Sequence, residues 1–252
     1  MHTNVPDIPA ELITALRRAR RVVVLTGAGI SAESGIPTFR EALTGLWSRF
    51  QPEELATPEA FQRNPQLVWE WYVWRRHLVA QAEPNRGHRA LVSMQARVPQ
   101  WALITQNVDG LHQRAGSAGV IELHGSLTRY VCSAHRHPVT IEVPAMGVPP
   151  VCPQCGSLVR PDVVWFGESL PGPALEAGFA AAAACDVFLS VGTSAVVQPA
   201  ASLPVEALAH GALTVEVNPD ETPLSRRVNL VLRGPAGLVL PLLVSAAWPD
   251  FV

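Results

Sequence analysis

Six short apolar runs rich in β-branched residues, at residues 22–26, 101–105, 120–123, 187–191, 213–217 and 228–232, constrain the fold of this chain more than any other feature. Runs of four or five such residues bounded by turn formers read as buried strands. Helical patterns lie between several of them, at residues 10–20, 87–97, 175–184 and 200–210. That alternation predicts a doubly wound α/β fold, in which helices cover both faces of a parallel sheet. A chain of 252 residues, 48% of them hydrophobic, is long enough to fill one such core. Two stretches break the rhythm: residues 42–83 are helical and rich in tryptophan, and residues 130–158 hold Cys, His and Pro without clear periodicity. Both are expected to be insertions that form a smaller module. Residues 1–41, 84–129 and 159–252 are then the discontinuous larger domain.

The segments after the strands bear on function. The first run leads into Gly27-Ala28-Gly29, the second into Gln106-Asn107-Val108-Asp109, and the third into His124-Gly125-Ser126. The fourth leads into Gly192-Thr193-Ser194 and the fifth into Asn218-Pro219-Asp220. In an open parallel sheet the carboxyl ends of the strands form the ligand crevice at the topological switch point, so these segments are expected to converge on one site. Turn-making alone would account for Gly, Asn, Asp and Ser at any single strand end. It leaves the Gln-Asn-Val-Asp and His-Gly-Ser segments unexplained.

Charge and cysteine usage narrow the partners. The 19 basic and 21 acidic side chains leave a net charge of −2, without a block of five or more basic residues. Nucleic acid and anionic membranes are therefore not expected partners. The amino-terminal segment lacks the unbroken apolar stretch of a secretory signal, and Asp7 and Glu11 count against a mitochondrial presequence. The alanine-rich residues 177–191 are interrupted by Asp186 and fall short of a membrane span. A cytoplasmic location is expected. Four cysteines, three of them within residues 132–155, are too few and too clustered for a secreted disulfide framework and point to a metal site in a reducing compartment.

Three local patterns carry chemistry. Gly27-Ala28-Gly29-Ile30-Ser31-Ala32 fits G-x-G-x-x-G/A after the first strand, where glycines permit a tight turn close to a pyrophosphate and a helix starting near Ser31 would offer free N–H groups. A plain tight turn fits these residues too. The acidic residue expected about 20 positions later, at the end of a second strand, is missing, which disfavours an ordinary dehydrogenase. Cys132-x-x-His135, followed after 16 residues by Cys152-x-x-Cys155, has the double-knuckle spacing of a structural zinc site. A redox pair is the rival reading of Cys152 and Cys155, less favoured because they lie in a Pro-rich insertion instead of at a helix start. Tyr72 and Arg75 are three apart, so a helix would present both on one face. A hydroxyl beside a charged fork suits a carboxylate, although without further context the pair reads as a core tyrosine and a solvated charge.

Taken in order, GAGISAESGIPTFR (residues 27–40), TQNVDGLH (105–112), ELHGS (122–126), VVWFGE (163–168), GTSAVVQPA (192–200) and VNPD (217–220) resemble the sirtuin family. The resemblance runs from about residue 15 nearly to the end, and the combination is specific although each motif alone is not. It implies a Rossmann-like fold and an NAD-dependent protein lysine deacylase. In that family the acyl-lysine carbonyl oxygen attacks C1′ of the nicotinamide ribose, nicotinamide leaves, and a histidine serves as general base on a ribose hydroxyl. The acyl group ends on ADP-ribose. His124 matches that base, and an imidazole titrating near neutral pH suits the task. Gln106, Asn107 and Asp109 match the positions that hold the ribose and the nicotinamide amide, Asn107 and Asp109 being counted with the catalytic set. Their alternative is turn-making or capping of the next helix. Gly27, Ala28, Gly29, Ser31, Glu33, Phe39, Arg40 and Trp47 match the cofactor-binding region, and Gly192, Thr193, Ser194, Asn218 and Ala236 match its adenosine end.

Within the family, Tyr72-x-x-Arg75 together with Ala42 resembles the subgroup that removes succinyl, malonyl and glutaryl groups, and Thr38 fits the same subgroup. The resemblance also implies one structural zinc ion held by Cys132, His135, Cys152 and Cys155. The family usually has four cysteines there, so His135 departs from the pattern, and His137 as its substitute or loss of the metal stay open. The implied partners are NAD and acyl-lysine proteins or peptides. A chain that mainly deacetylates, an NAD-sensing binding module and ADP-ribosyl transfer to protein stay open as alternatives.

Overall fold

The computed structural model describes residues 7–37, 47–142 and 145–251. Phe39, Arg40 and Ala42, all assigned to the site from sequence, lie outside the described residues, as does Thr38. The strands are β1 (Arg21–Thr26), β2 (Gln100–Thr105), β3 (Ile121–Glu122), β4 (Gly125–Cys132), β5 (Val159–Val163), β6 (Val187–Val191), β7 (Leu213–Asn218) and β8 (Leu230–Arg233). The helices are α1 (Ala10–Arg18), α2 (Pro52–Leu55), α3 (Pro58–Arg63), α4 (Pro65–Gln81), α5 (Arg86–Gln95), α6 (Leu111–Ala115), α7 (Gly172–Ala184), α8 (Leu203–Ala209) and α9 (Ala236–Ala247). No helix among the described residues is long and apolar enough to cross a membrane.

Six strands form one parallel sheet in the order β3-β2-β1-β6-β7-β8. The doubly wound class is therefore observed, with the switch point between β1 and β6, where the order reverses. Side chains alternate across β1 and build both cores at once. Val22 and Val24 join Leu12, Leu16, Leu91 and Leu240 from α1, α5 and α9 on one face. Val23 and Leu25 join Ala182, Phe188 and Leu203 on the face covered by α7 and α8. Burial on both faces is why these strands read as continuous apolar runs, each fully buried Val or Leu contributing roughly 1.5–3 kcal/mol.

Two features escape the sequence pattern. Strands β4 and β5 pair antiparallel as a separate two-stranded sheet, and a register shift between Ser126 and Tyr130 destroys the alternation that would have revealed β4. Helix α9 is apolar on nearly every side and contains Pro241, so it shows no amphipathic period, yet it packs against α5 and α1. The second hydrophobic unit is aromatic. Trp47, Phe61, Trp71, Tyr72 and Trp165 are buried together, with Trp71 5.0 Å from Trp47 and 5.1 Å from Trp74. Trp69 packs on Tyr130 and the buried Cys132 and Cys152, which ties α4 to the cysteine-rich segment.

Candidate functional site

The loop after β1 meets the loop after β6 backbone to backbone. The Gly29 N–H donates to the Gly192 carbonyl at 2.9 Å, and a Cβ at Gly29 would lie 2.7 Å from Gly192 Cα. Gly192 has φ of 60°, and a Cβ there would approach the Ile30 nitrogen to 2.5 Å. Only glycine permits this contact, which keeps side chains out of the crevice mouth. The helix expected to start near Ser31 is instead two single 3-10 turns, at Ala28–Ile30 and Ala32–Ser34. The chain therefore bends through the crevice instead of presenting one helix end to it.

A cavity of 340 Å³ opens at these strand ends and is lined by Ala28, Ser31, Gln106, Asn107, Asp109 and His124, together with Tyr72 and Arg75. Three of the five strand-end segments, those after β1, β2 and β3, thus line one cavity, and Tyr72 and Arg75 join them from the helical insertion. His124 Nδ1 lies 2.9 Å from the Gln106 carbonyl oxygen. A carbonyl only accepts, so Nδ1 carries the proton and Nε2 keeps its lone pair. Burial holds the imidazole below its ordinary 6.5, with the Gln106 bond opposing, so it is neutral at pH 7.

Asp109 is buried, which pushes its carboxyl up, while the Leu111 N–H, the Ser31 hydroxyl and Arg75 pull it down. Its Oδ1 accepts from Leu111 at 2.9 Å and its Oδ2 from Ser31 at 2.8 Å. Helix capping and cavity lining are thus served by one carboxylate. Asn107 donates through Nδ2 to the Gly27 carbonyl at 3.0 Å and to Ser31 Oγ at 3.2 Å, which locks the loop after β2 to the glycine loop.

Helix α4 carries the Tyr72 and Arg75 pair. Asn64 caps it by accepting from the Leu67 N–H at 3.1 Å, and Pro65 occupies its first turn. Arg76 donates to the Leu127 carbonyl at 3.1 Å and stacks over Tyr130, which fixes the rotation of the helix. Tyr72 and Arg75 are then left on the cavity side. Burial pushes the Tyr72 phenol up to about 12, so it is a neutral donor throughout the working pH range. Burial also lowers Arg75, with Tyr72 and Asp109 opposing.

The remaining assignments fall outside this cavity. Asn218 Nδ2 donates to the Thr193 carbonyl at 2.8 Å, which joins the ends of β6 and β7, and Ser194 is exposed beside them. Glu33 accepts the Gly237 N–H at 2.6 Å and so caps the start of α9 next to Ala236. Trp47 is buried in the aromatic cluster with Trp71, Trp74 and Phe50 and does not line the cavity. Asn85 is a residue that sequence reasoning overlooks. It caps α5, and its Nδ2 donates to the Ile30 carbonyl at 2.7 Å and Ser34 Oγ at 3.0 Å, holding the glycine loop from behind. An Asn before a helical run is the available signal.

In the cysteine-rich segment, ligand atoms of Cys132, His137 and Cys152 lie within 4.8 Å of one another. Cys155 Sγ is 3.5 Å from Cys132 Sγ, and His137 Nε2 is 3.1 Å from Cys152 Sγ. The imidazole of this group is His137, whereas the knuckle spacing favours His135. The reason is a tight turn: the Cys132 N–H bonds the His137 carbonyl at 3.0 Å, Arg136 has φ of 58°, and His135 is left exposed at the turn's apex. Three thiols and one imidazole suit a tetrahedral Zn²⁺. Replacing His137 with Ala is expected to lower the metal content of the purified protein from one zinc per chain and the Tm by at least ~5 °C, while His135→Ala leaves both unchanged. Elemental analysis and calorimetry of the two variants check this, and the reverse pattern would reassign the ligand.

Comparison with known proteins agrees with this geometry. The Sir2 family model matches residues 27–199. An NAD-dependent protein deacylase of Aquifex aeolicus is 57% identical over 208 residues, covering 81% of this chain and 86% of that protein. NAD-dependent protein deacylase 1 of Pseudomonas aeruginosa is 53% identical over 247 residues, covering 94% and 98%. A crystal structure of a Sir2 homologue in complex with NAD superposes with a TM-score of 0.92 at 45% identity, covering 100% of this chain and 98% of that one. A family pattern of this length, seconded by relatives identical at more than half of the aligned positions, establishes that the chain belongs to the Sir2 family, the sirtuins.

Proposed function

We propose that this NAD-dependent protein deacylase removes acidic acyl groups, namely succinyl, malonyl and glutaryl, from lysine side chains. The observation that carries the reading is that Tyr72 and Arg75 line the same cavity as His124. An acyl chain entering beside His124 would bring its terminal carboxylate to a guanidinium and a neutral phenol, which supply an ion pair and a second hydrogen bond to the charged acceptor. The apolar part of the wall, with Ile36, Val79 and Leu127, supports a weaker deacetylase activity through the same machinery.

The backbone-to-backbone contact of Gly27 and Gly29 with Gly192, too close for any Cβ, leaves the strand-end mouth free of side chains there, which suits the approach of a dinucleotide. Ala28, Ser31, Gln106, Asn107 and Asp109 would hold its ribose and nicotinamide end, and Thr193, Ser194, Asn218 and Ala236 its adenosine end. When bound, NAD supplies a ribose carbon bearing a good leaving group and the hydroxyls that receive the acyl group. His124 accepts a hydroxyl proton at Nε2 while its Nδ1–H stays on the Gln106 carbonyl, so the ring keeps one orientation as it becomes charged. Asp109 and Asn107 order Ser31 and the glycine loop at the cavity floor. The Cys/His cluster takes a structural zinc away from these steps. Acylated cytoplasmic proteins are the partners.

One peptide carrying acetyl, succinyl or glutaryl lysine, incubated with the enzyme and NAD, tests the reading. Succinyl and glutaryl forms are expected to have the higher kcat/KM and to release nicotinamide in step with deacylation. Equal or lower turnover than the acetyl form would overturn the acidic specificity. The pH profile is a separate check. Only neutral His124 accepts a proton, and burial holds its pKa below 6.5. The kcat/KM is therefore expected to rise with pH along an acid limb whose midpoint lies below that value and to be flat through neutrality, and a midpoint above 7 in ordinary buffer would contradict the assignment.

A further inference from the structure

Behind the reaction cavity lies a second one of 330 Å³, between the start of the helical segment and the cysteine-rich segment. Its walls are largely apolar, with Pro58, Phe61, Pro65 and Leu158, and include Arg160. Among the described residues Trp165 alone lines both cavities. We infer that Trp165 sets the longest acyl group the site accepts, by walling the reaction cavity off from this second cavity.

Three packed groups hold the indole, which is 3% exposed. Its ring lies 5.3 Å from Phe61 and 6.3 Å from Tyr72, and the Arg160 guanidinium sits 3.2 Å from its centroid. Arg160 is itself immobile, since its two terminal nitrogens bond Glu168 at 2.6 and 2.9 Å and one of them also bonds the Val163 carbonyl at 2.9 Å. A side chain so enclosed cannot swing aside for a longer acyl chain without breaking the ion pair beneath it. The same pairing neutralises Arg160, so the second cavity offers an apolar surface and no committed partner for another carboxylate. Removing the indole would join the two spaces and admit an apolar tail, each buried methylene improving affinity by roughly fourfold.

The inference rests on the deacylase reading, and its test separates the two. The kcat/KM of wild type, Trp165→Leu and Trp165→Phe would be measured on one peptide carrying succinyl or octanoyl lysine, with Tm and NAD binding recorded for each. Trp165→Leu is expected to raise the octanoyl-to-succinyl ratio by at least ~10-fold, the effect of about two buried methylenes. Trp165→Phe, which keeps an aromatic ring over Arg160, gives a smaller rise. Adding Gln62→Trp, at an exposed lining residue of the second cavity, to Trp165→Leu refills that space and returns the ratio toward wild type, while Gln62→Trp alone leaves succinyl turnover unchanged. Should Trp165→Leu fail to fold, the folded Trp165→Phe decides. An unchanged ratio in a folded, NAD-binding Trp165 variant, or a raised ratio that survives Gln62→Trp, overturns the partition. A wild type inactive on every acyl-lysine strikes the deacylase reading instead.

Discussion

Replacement of His124 by alanine is expected to lower kcat by about 10²–10⁴-fold, the range that removal of a positioned general base produces. The loss should fall on turnover and leave NAD affinity intact, because the proposed dinucleotide site rests on the backbone of Gly27, Gly29 and Gly192 and on side chains of other loops. The imidazole makes one described hydrogen bond, from Nδ1 to Gln106, so its removal vacates the cavity wall without stranding a second side chain. Single-turnover kinetics and calorimetric NAD titration of the variant distinguish the cases. Turnover within a few-fold of wild type would remove His124 from the mechanism, and loss of NAD binding alongside activity would show that it shapes the dinucleotide site instead. An NAD-sensing role without catalysis predicts that the wild type is already as inactive as the variant.

Arg75→Met carries the second large effect, and it acts on one substrate class. Truncating one partner of a buried, hydrogen-bonded charge pair costs about 2–5 kcal/mol, so succinyl kcat/KM is expected to fall roughly 30-fold to several-thousand-fold. Methionine keeps the length and the apolar packing of the arginine stem against Trp71, over which the guanidinium lies 5.8 Å from the ring centroid. Acetyl turnover should therefore survive, since an acetyl group has no carboxylate to place. Tyr72→Phe removes one hydrogen-bond donor to the same carboxylate and is expected to cost about 1.5–3 kcal/mol on the same substrate, with the ion pair to Arg75 left in place. The contrast between the two variants is the useful measurement. Equal losses on acetyl and succinyl peptides would mean that Arg75 supports the fold of the wall, with no part in reading the acyl end.

Much of this site is legible without coordinates. Most of the polar residues that line the cavity, Ser31, Gln106, Asn107, Asp109 and His124 among them, come after strand ends, and strand ends are recognisable because β-branched runs stop abruptly at turn-forming or polar residues. Tyr72 and Arg75 are visible as a pair because helical spacing of three puts two side chains on one face whatever the helix packs against. His137 is not preferred from sequence, because knuckle spacing counts residues and says nothing of a turn with positive φ at Arg136 that faces residue 137 toward Cys132. Trp47, assigned to the cofactor region by resemblance, is buried in the aromatic cluster, where its rings contact Trp71 and Trp74. Strand β4 and helix α9 are hidden for opposite reasons, one by a bulge that breaks the period of two and the other by an apolar surface that has no period at all.

Sequence alone determined the class of fold, the five loops that meet at the strand ends and the chemical types of the groups they carry, because hydrophobic period and turn chemistry are local and survive without neighbours. Tertiary structure decided what those groups face. It chose the proton position on His124 through the Gln106 carbonyl, the imidazole of the cysteine cluster through a tight turn, and the wall between two cavities through the packing of Trp165 on Arg160. Each of these depends on how backbone turns and packing orient side chains toward one another, which the spacing of residues along the chain does not encode.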